Sequence, residues 1–184
     1  VIGGVGLINN LSKPISHKFK KEKSNIILIG KTFGHLDLSC FLKENYSIEE
    51  GMPPEINLLN EKNNGEGLLK LINENLILSS HDISNGGLIV TLSEMALSSN
   101  LGAKILKPKK LTNLFKYFFG EDQARYVVEV ETNNLNKVEK ILREDNIYHE
   151  NIGFTQKEFL EIEGELKISV KDLFKINNEW YSKY

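Results

Sequence analysis

Apolar residues recur along the chain with two different periods, which predict a mixture of strands and helices. Residues 25–30 form a continuous apolar run that ends at a glycine, a pattern typical of a central strand buried on both faces of a sheet. Other short runs predict strands at 76–80, 102–106, 124–131, 151–154 and 158–162. Spacings of three and four predict helices around 36–42, 56–72, 88–97, 111–118, 135–142 and 169–180. Residues 63–65, Asn-Asn-Gly, are a candidate break in the second helix.

The order of these elements predicts an α/β (α+β) fold, a mixed sheet flanked by helices. Residues 124–155 run strand, helix, strand, a unit that places a helix on the face of a sheet. The polar, lysine-rich segment 9–24 predicts an exposed connection, and the apolar, glycine-rich segment 1–8 predicts the last strand of a preceding domain or a lead-in. Residues 25–184 then form one α/β domain. Because the chain opens at Val1 inside a strand-like segment, we expect a piece of a longer protein.

Composition narrows the class of protein. The chain has 184 residues, is 40% hydrophobic and has a formal net charge of -2, values typical of one globular domain. A net charge near zero offers no attraction to nucleic acid or to an anionic membrane, and no apolar run approaches the roughly 20 residues of a membrane span. We therefore expect neither partner. Cys40 is the only cysteine, so nothing requires an oxidising compartment, and the sequence predicts a cytoplasmic protein.

The loop after the predicted strand 76–80 holds the first group of candidate ligand-facing residues. Its members are His81, Asp82, Ser84, Asn85, Gly86 and Gly87. In open α/β sheets ligands lie at this edge, where the next helix presents free N–H groups that suit an anion. Glycines let a phosphate approach closely, and Asp82 or Asn85 would hold a magnesium ion or a hydroxyl. The alternative is structural: Asp82 or Ser84 caps the helix, and His81 satisfies a buried carbonyl.

A second group of candidates lies in the turn before the strand 124–131. Gly120, Glu121 and Arg125 line this turn, together with Asp122. Arg125 either binds a phosphate or pairs with Glu121 or Asp122 and fixes the turn. The P-loop, HExxH and GxSxG motifs are absent, and 3–6 lacks the rest of a dinucleotide fingerprint. The residues alone assign no catalytic role, and metal ligands remain unknown.

Several segments resemble, in order and spacing, the C-terminal part of phosphoribosylformylglycinamidine synthase, large subunit (subunit II). They are residues 1–8, 26–32, 80–88, 92–96 and 119–128. The most specific are His-Asp-Ile-Ser-Asn-Gly-Gly-Leu at 81–88 and Phe-Gly-Glu at 119–121. The resemblance covers essentially the whole chain. It implies the C-terminal domain type of the aminoimidazole ribonucleotide synthetase-like superfamily.

The resemblance also implies an activity for the full protein. The family is an ATP-dependent carbon-nitrogen ligase that uses ATP and Mg²⁺, with ammonia derived from glutamine. It converts formylglycinamide ribonucleotide to formylglycinamidine ribonucleotide in de novo purine biosynthesis. The implied partners are the upstream domains of the same synthase, a glutaminase subunit and a small accessory subunit. The family's catalytic residues belong mainly to upstream segments, so we expect none in this chain and no activity from it alone.

The resemblance leaves the role of this piece between two possibilities. It is structural, or the His81–Gly87 loop and the Gly120–Arg125 turn line an auxiliary nucleotide site. One departure bears on the choice: residues 34–39 are Gly-His-Leu-Asp-Leu-Ser, where the family usually has a segment of the Gly-Glu-Leu-Gly-Gly-Ser type. Fewer glycines argue against a phosphate contact at that loop. The alternative functions are a domain of a related ATP-using small-molecule kinase or synthetase, and a non-catalytic interaction module left by truncation.

Overall fold

The computed structural model describes residues 14–108 and 113–180, which contain a single seven-stranded sheet. The spatial order is β2-β4-β1-β5-β3-β6-β7, and only the β3–β6 pair is parallel. The strands are β1 Asn25–Ile29, β2 Ser79–Asp82, β3 Gly102–Ile105, β4 Tyr126–Val130, β5 His149–Gln156, β6 Phe159–Ile162 and β7 Leu166–Ser169. The predicted strand at 1–8 lies outside the described residues.

Helices cover both faces of the sheet, as the mixed α/β prediction required. They are α1 Cys40–Tyr46, α2 Leu58–Asn73, α3 Gly87–Leu97, α4 Leu114–Phe119, α5 Leu135–Glu144 and α6 Val170–Glu179. Leu71 in α2 and Leu142 in α5 belong to one core, whereas Leu88 in α3 and Val170 in α6 belong to the other. The fold is therefore a sheet between two helical layers.

The central strand β1 explains why its sequence is apolar throughout. Ile26 and Leu28 pack into the core beneath α3, and Ile27 and Ile29 pack into the core beneath α2 and α5. All four side chains have no exposed surface. A strand whose alternate side chains enter two different cores has no solvent-facing side, so polar alternation disappears. The predicted central strand is confirmed.

Several element boundaries differ from the sequence prediction. The helix expected around 36–42 begins only at Cys40, because Leu38 adopts a positive φ and Ser39 caps the helix through its hydroxyl. The second helix runs unbroken through residues 63–65, so the candidate break there is wrong. The strand expected at 76–80 begins at Ser79 and includes His81 and Asp82.

The connection before β1 is anchored by a buried side chain and by backbone hydrogen bonds. Most side chains of residues 14–24 are at least partly exposed, but Phe19 is buried in the core beneath α3. The backbone N–H groups of Lys20 and Lys21 donate to the carboxylate of Glu129, which is itself fully buried in β4. These contacts tie the segment to the sheet. The domain division at residues 8 and 24 stays a prediction.

Candidate functional site

Three loops meet along the edge of the sheet where β1 and β2 end and β4 begins, and they surround a cavity of about 310 Å³. Ile29 at the end of β1 and Asp82 at the end of β2 both lie opposite Tyr126, the first residue of β4. Because β4 is antiparallel to both neighbours, the loops after β1 and β2 and the turn before β4 emerge together. The fold therefore brings the two predicted groups, 81–87 and 120–125, into one place.

Glu121 joins the two helices that begin at this edge. Its Oε1 accepts a hydrogen bond from the backbone N–H of Cys40, 2.8 Å away, and another from Gly86, 2.7 Å away. Cys40 is the first residue of α1, and Gly86 is the N-cap of α3. The carboxylate thus occupies the N–H of Gly86, at the helix start that the sequence pattern offered to a ligand. Burial, followed by the charge of Glu121, raises the pKa of the Cys40 thiol and keeps it protonated.

Asp122 fills a second set of N–H groups. Its Oδ2 accepts from Phe33 and Gly34, and its Oδ1 accepts from His35, at 2.9 to 3.1 Å. Three successive backbone N–H groups that converge on one carboxylate form a concave anion site of the kind that elsewhere holds phosphate. Here a side chain of the same chain is the anion, which agrees with the argument against a phosphate contact in this loop.

Arg125 is a structural cation in this arrangement. Arg125 is 1% exposed, and its guanidinium donates hydrogen bonds to the carbonyls of Asp122 and Gly120 and to the hydroxyl of Thr32. Its Nη2 also lies 3.8 Å from the Asp122 carboxylate. Burial lowers the pKa of Arg125, and the Asp122 charge opposes that effect. The geometry favours the interpretation in which Arg125 fixes the turn.

The paired glycines at the start of α3 have a steric role. Gly86 and Gly87 have φ values of +79° and +70°, a region that favours glycine. A Cβ on Gly87 would lie 2.7 Å from the carbonyl oxygen of Gly120 and 2.8 Å from that of Phe118. The helix can begin this close to the turn only because residue 87 has no side chain.

Among the predicted polar residues of the loop, three face the cavity and one does not. Asp82, Ser84 and Asn85 line it, and all three are exposed. His81 lies instead beside α3, where its Nε2 is 3.1 Å from Glu94 and its Nδ1 is 3.2 Å from the side chain of Asp82. Its ring packs 5.3 Å from that of His17. The ligand-facing role of the loop stays a prediction.

The cavity is acidic. The carboxylates that line it belong to Asp37, Glu61, Asp82 and Glu121, whereas Arg125 is the only cation of the lining among the described residues. Burial, then the charges of Glu61 and Asp82, raise the pKa of Tyr126 at the cavity wall. A free phosphate would meet this negative field, and the N–H groups of Cys40 and Gly86 are already occupied by Glu121. The residues present therefore do not fit the phosphates of ATP.

The residues do not fit a metal site either. Within 14–108 and 113–180, no group of three or more His, Cys, Asp or Glu side chains is arranged to hold a metal ion. Asp82 and Asn85, suggested by the sequence as magnesium ligands, are therefore not part of such a group. No helix among the same residues has the length and apolar character of a membrane span.

The sequence indicated that the turn at 120–125 is important but did not indicate the hydrogen-bond partners of its acidic residues. Glu121 and Asp122 were noted as acids beside Arg125, whereas their main partners are backbone N–H groups 35 to 89 positions away in sequence. Asp37, in the loop after β1, and Glu61, in α2, reach the cavity from distant parts of the chain. The burial of Glu129 could have been predicted, because this residue lies on the same face of β4 as Val127, which is a core position.

The sequence matches a family model over residues 23–163, and that model describes the C-terminal domain of AIR synthase related proteins. Over 183 residues the chain is 43% identical to the phosphoribosylformylglycinamidine synthase subunit PurL of Pelagibacter ubique. All of this chain is covered, but only 25% of that protein. The chain thus spans about a quarter of the length of the curated relatives it matches.

Solved structures of Thermotoga maritima PurL share the fold. The complexes with ATP and with FGAR superpose with TM-scores of 0.69 and 0.70, at 15% and 17% identity. They cover 89% and 87% of this chain and 28% and 29% of theirs. The structure of PurLQS from the same organism has a TM-score of 0.67 at 18% identity, covering 87% of this chain and 27% of that one.

Proposed function

The chain belongs to the family of AIR synthase related protein C-terminal domains, and on that premise we propose that it is the C-terminal domain of a phosphoribosylformylglycinamidine synthase. The observation that carries the proposal is the 43% identity to a PurL subunit along the whole chain. A relative about four times as long supplies the context in which such a domain acts. The fold alone would also suit other members of the superfamily, so sequence identity decides between them.

The full enzyme in this proposal is a cytoplasmic ATP-dependent ligase of purine biosynthesis. It forms formylglycinamidine ribonucleotide from formylglycinamide ribonucleotide and ammonia, with ATP and Mg²⁺ held by the preceding domains. The ammonia comes from a glutaminase subunit, and a small accessory subunit completes the assembly. The solved complexes of Thermotoga maritima PurL with ATP and with FGAR support the assignment of these two ligands, and the PurLQS structure supports an assembly of several subunits.

The role of this domain is structural. Glu121 and Asp122 bind the N–H groups at the starts of α1 and α3 and in the loop after β1, so the edge of the sheet is held without a nucleotide. Asp82, Ser84 and Asn85 then form an exposed polar wall. In the full enzyme this wall faces the preceding domains. An auxiliary nucleotide at this cavity is the alternative, and the acidic lining disfavours it.

An exposed apolar surface beside the cavity supplies the contact with those domains. Met52, Ile56, Leu58 and Leu59 are 65% to 77% exposed, and the neighbouring Pro53, Pro54 and Glu61 line the cavity. Exposed apolar side chains concentrated in one short segment mark an interaction surface rather than an ordinary monomer face. The preceding part of the same polypeptide is the occupant, because the relatives carry three quarters of their length outside the matched region.

The test is to replace Leu58 by aspartate in the native polypeptide that carries this chain. A charge buried in a domain contact should disrupt the contact, so ammonia-dependent synthase turnover should fall about tenfold or more. Asn60→Asp is the matched control, since it adds the same charge to an exposed position of the same helix turn. It should retain most of the turnover.

The 184-residue chain carrying Leu58→Asp provides the folding control. Leu58 is 77% exposed, so the urea midpoint of the isolated chain should change little. Full turnover by the Leu58→Asp polypeptide would remove the docking surface from the proposal. Absence of turnover in the unmodified polypeptide would overturn the assigned reaction itself.

A further inference from the structure

A second cleft, of about 540 Å³, opens on the other side of the loop after β1. Its walls come from that loop, from the segment after β3 and from β5. The lining residues include Lys31, Phe33, Leu106, Tyr117, Tyr148 and Glu150. The volume lies within the roughly 300 to 1,000 Å³ typical of small-molecule sites, and the mixture of apolar walls with a few polar groups is also typical.

Lys31 is the available cation of this cleft. None of the ion pairs among the described residues includes Lys31, whose Nζ lies 5.8 Å from the ring centre of Tyr148. Lys107, the other lining lysine, is already paired with Glu165 at 2.5 Å. An ammonium that leans over an aromatic ring without a carboxylate partner is placed to meet an anion.

The acidic residue of the cleft is already hydrogen-bonded. Glu150 accepts from the hydroxyl of Tyr117 at 3.3 Å and from the hydroxyl of Tyr148. The bond to Glu150 raises the pKa of Tyr148 to about 12, so this phenol stays protonated and donating at neutral pH. Two neutral phenols therefore cover the carboxylate and reduce its repulsion of an anionic ligand.

Aromatic surface completes the cleft. Phe33 is 73% exposed although it is a large apolar side chain, and Tyr148 presents its ring to the same space. The backbone N–H of Phe33 donates to Asp122, which fixes the residue at the cleft rim. Exposed rings beside an ammonium that has no carboxylate partner are the groups that bind a planar ring attached to a negative charge.

We propose that this cleft binds a small organic anion that carries a planar ring. Lys31 pairs with the anionic group, a phosphate monoester or a carboxylate, while Phe33 and Tyr148 contact the ring. The site is separate from the acidic cavity and shares none of its lining residues. It does not rest on the proposed ligase function.

The experiment is a titration of the 184-residue chain with phenyl phosphate and, separately, with benzoate, followed through backbone amide resonances. The shifts should concentrate at residues 31–33, 148 and 150–152, because these line the cleft. Inorganic phosphate should bind about tenfold more weakly than phenyl phosphate, since it offers no ring. Added salt should weaken all binding through screening of Lys31. Binding of either aromatic anion in this pattern supports the proposal, and the two titrations tell which anionic group is preferred.

Lys31→Gln removes the charge and should weaken binding of the aromatic anion about tenfold. Phe33→Ala should weaken the binding of phenyl phosphate while leaving the affinity for inorganic phosphate unchanged. Lys18→Gln is the matched control, because Lys18 is exposed and lies outside the cleft. All three residues are on the surface of the folded chain, so the remaining resonances should stay in place. Equal affinity in Lys31→Gln and the unmodified chain, or shifts confined to other residues, would overturn the site.

Discussion

Asp122 shows how one buried side chain can decide whether a loop is a ligand site. Its two oxygens take three successive backbone N–H groups of residues 33–35, and Arg125 packs against it. The same loop without Asp122 would be an open anion site. The identity of residue 122 therefore determines whether this edge of the sheet binds an external anion or closes on itself.

Asp122→Ala should destabilise the chain by about 3 kcal/mol or more, because three backbone N–H groups lose their hydrogen-bond acceptor and Arg125 loses its carboxylate partner. Urea unfolding measures the loss. Asp145→Ala removes a carboxylate whose partner is the exposed Lys70, and should cost under about 1 kcal/mol. Equal losses for the two variants would contradict the account of Asp122.

The sequence supports residue-level prediction only where partners are local. Arg125 lies three positions from Asp122, so their pairing was among the alternatives that the sequence left open. The contacts of Glu121 with Cys40 and Gly86 cross 81 and 35 positions, and nothing near Glu121 identifies them. Such contacts follow from strand pairing, which brings distant loops to one edge.

The location of a helix or strand was predictable where the periodic hydrophobic pattern extended over many residues. The residues at which it begins and ends were less predictable. The helix α5 has an apolar stripe at Val138, Ile141 and Leu142, and it was found at its predicted place. The helix α1 was displaced because a positive φ at Leu38 prevents an earlier start. That conformation depends on the packing of the loop, which periodicity does not report.

Two glycines in neighbouring elements should respond in opposite ways to alanine. Gly65 lies inside α2, where an added Cβ would meet only the Tyr126 hydroxyl at 3.8 Å. Gly65→Ala should stabilise the chain by about 0.5 to 1 kcal/mol through improved helix propensity. Gly87→Ala should destabilise it by about 2 kcal/mol or more, because φ is +70° and the turn carbonyls are in contact.

Urea midpoints of the two variants against the unmodified chain test this pair of predictions. A stabilised Gly87→Ala variant would mean that α3 does not begin as closely against the turn as the structure has it. A strongly destabilised Gly65→Ala variant would mean that α2 is broken near residues 63–65, as the sequence alone suggested.

At the scale of the whole molecule, fold class was predictable and strand order was not. The strand-helix-strand unit at 124–155 is present as β4, α5 and β5, but β1 lies between the two strands. An antiparallel strand inserted into that unit leaves no local signal, because β1 precedes it by almost a hundred residues. The cavity at the β1, β2 and β4 edge depends on this insertion. The resemblance to a known family could therefore indicate the important loops, whereas composition and periodicity could not assemble them.

We propose that, at the scale of the whole molecule, this domain supports a synthase without performing its chemistry. The carboxylates of Glu121 and Asp122 occupy the N–H groups at the candidate site, and the described residues provide no metal cluster. In the same proposal, the exposed apolar side chains of segment 52–59 contact the preceding domains. On this proposal, activity belongs to the complete polypeptide.

The most direct measurement is ATP-dependent formation of formylglycinamidine ribonucleotide from formylglycinamide ribonucleotide, with ammonia supplied in place of glutamine. It is made on the native polypeptide that carries this chain and, side by side, on the 184-residue chain alone. We expect turnover by the native polypeptide and none by the isolated chain. Turnover by the isolated chain, or none by the native polypeptide, would contradict the account.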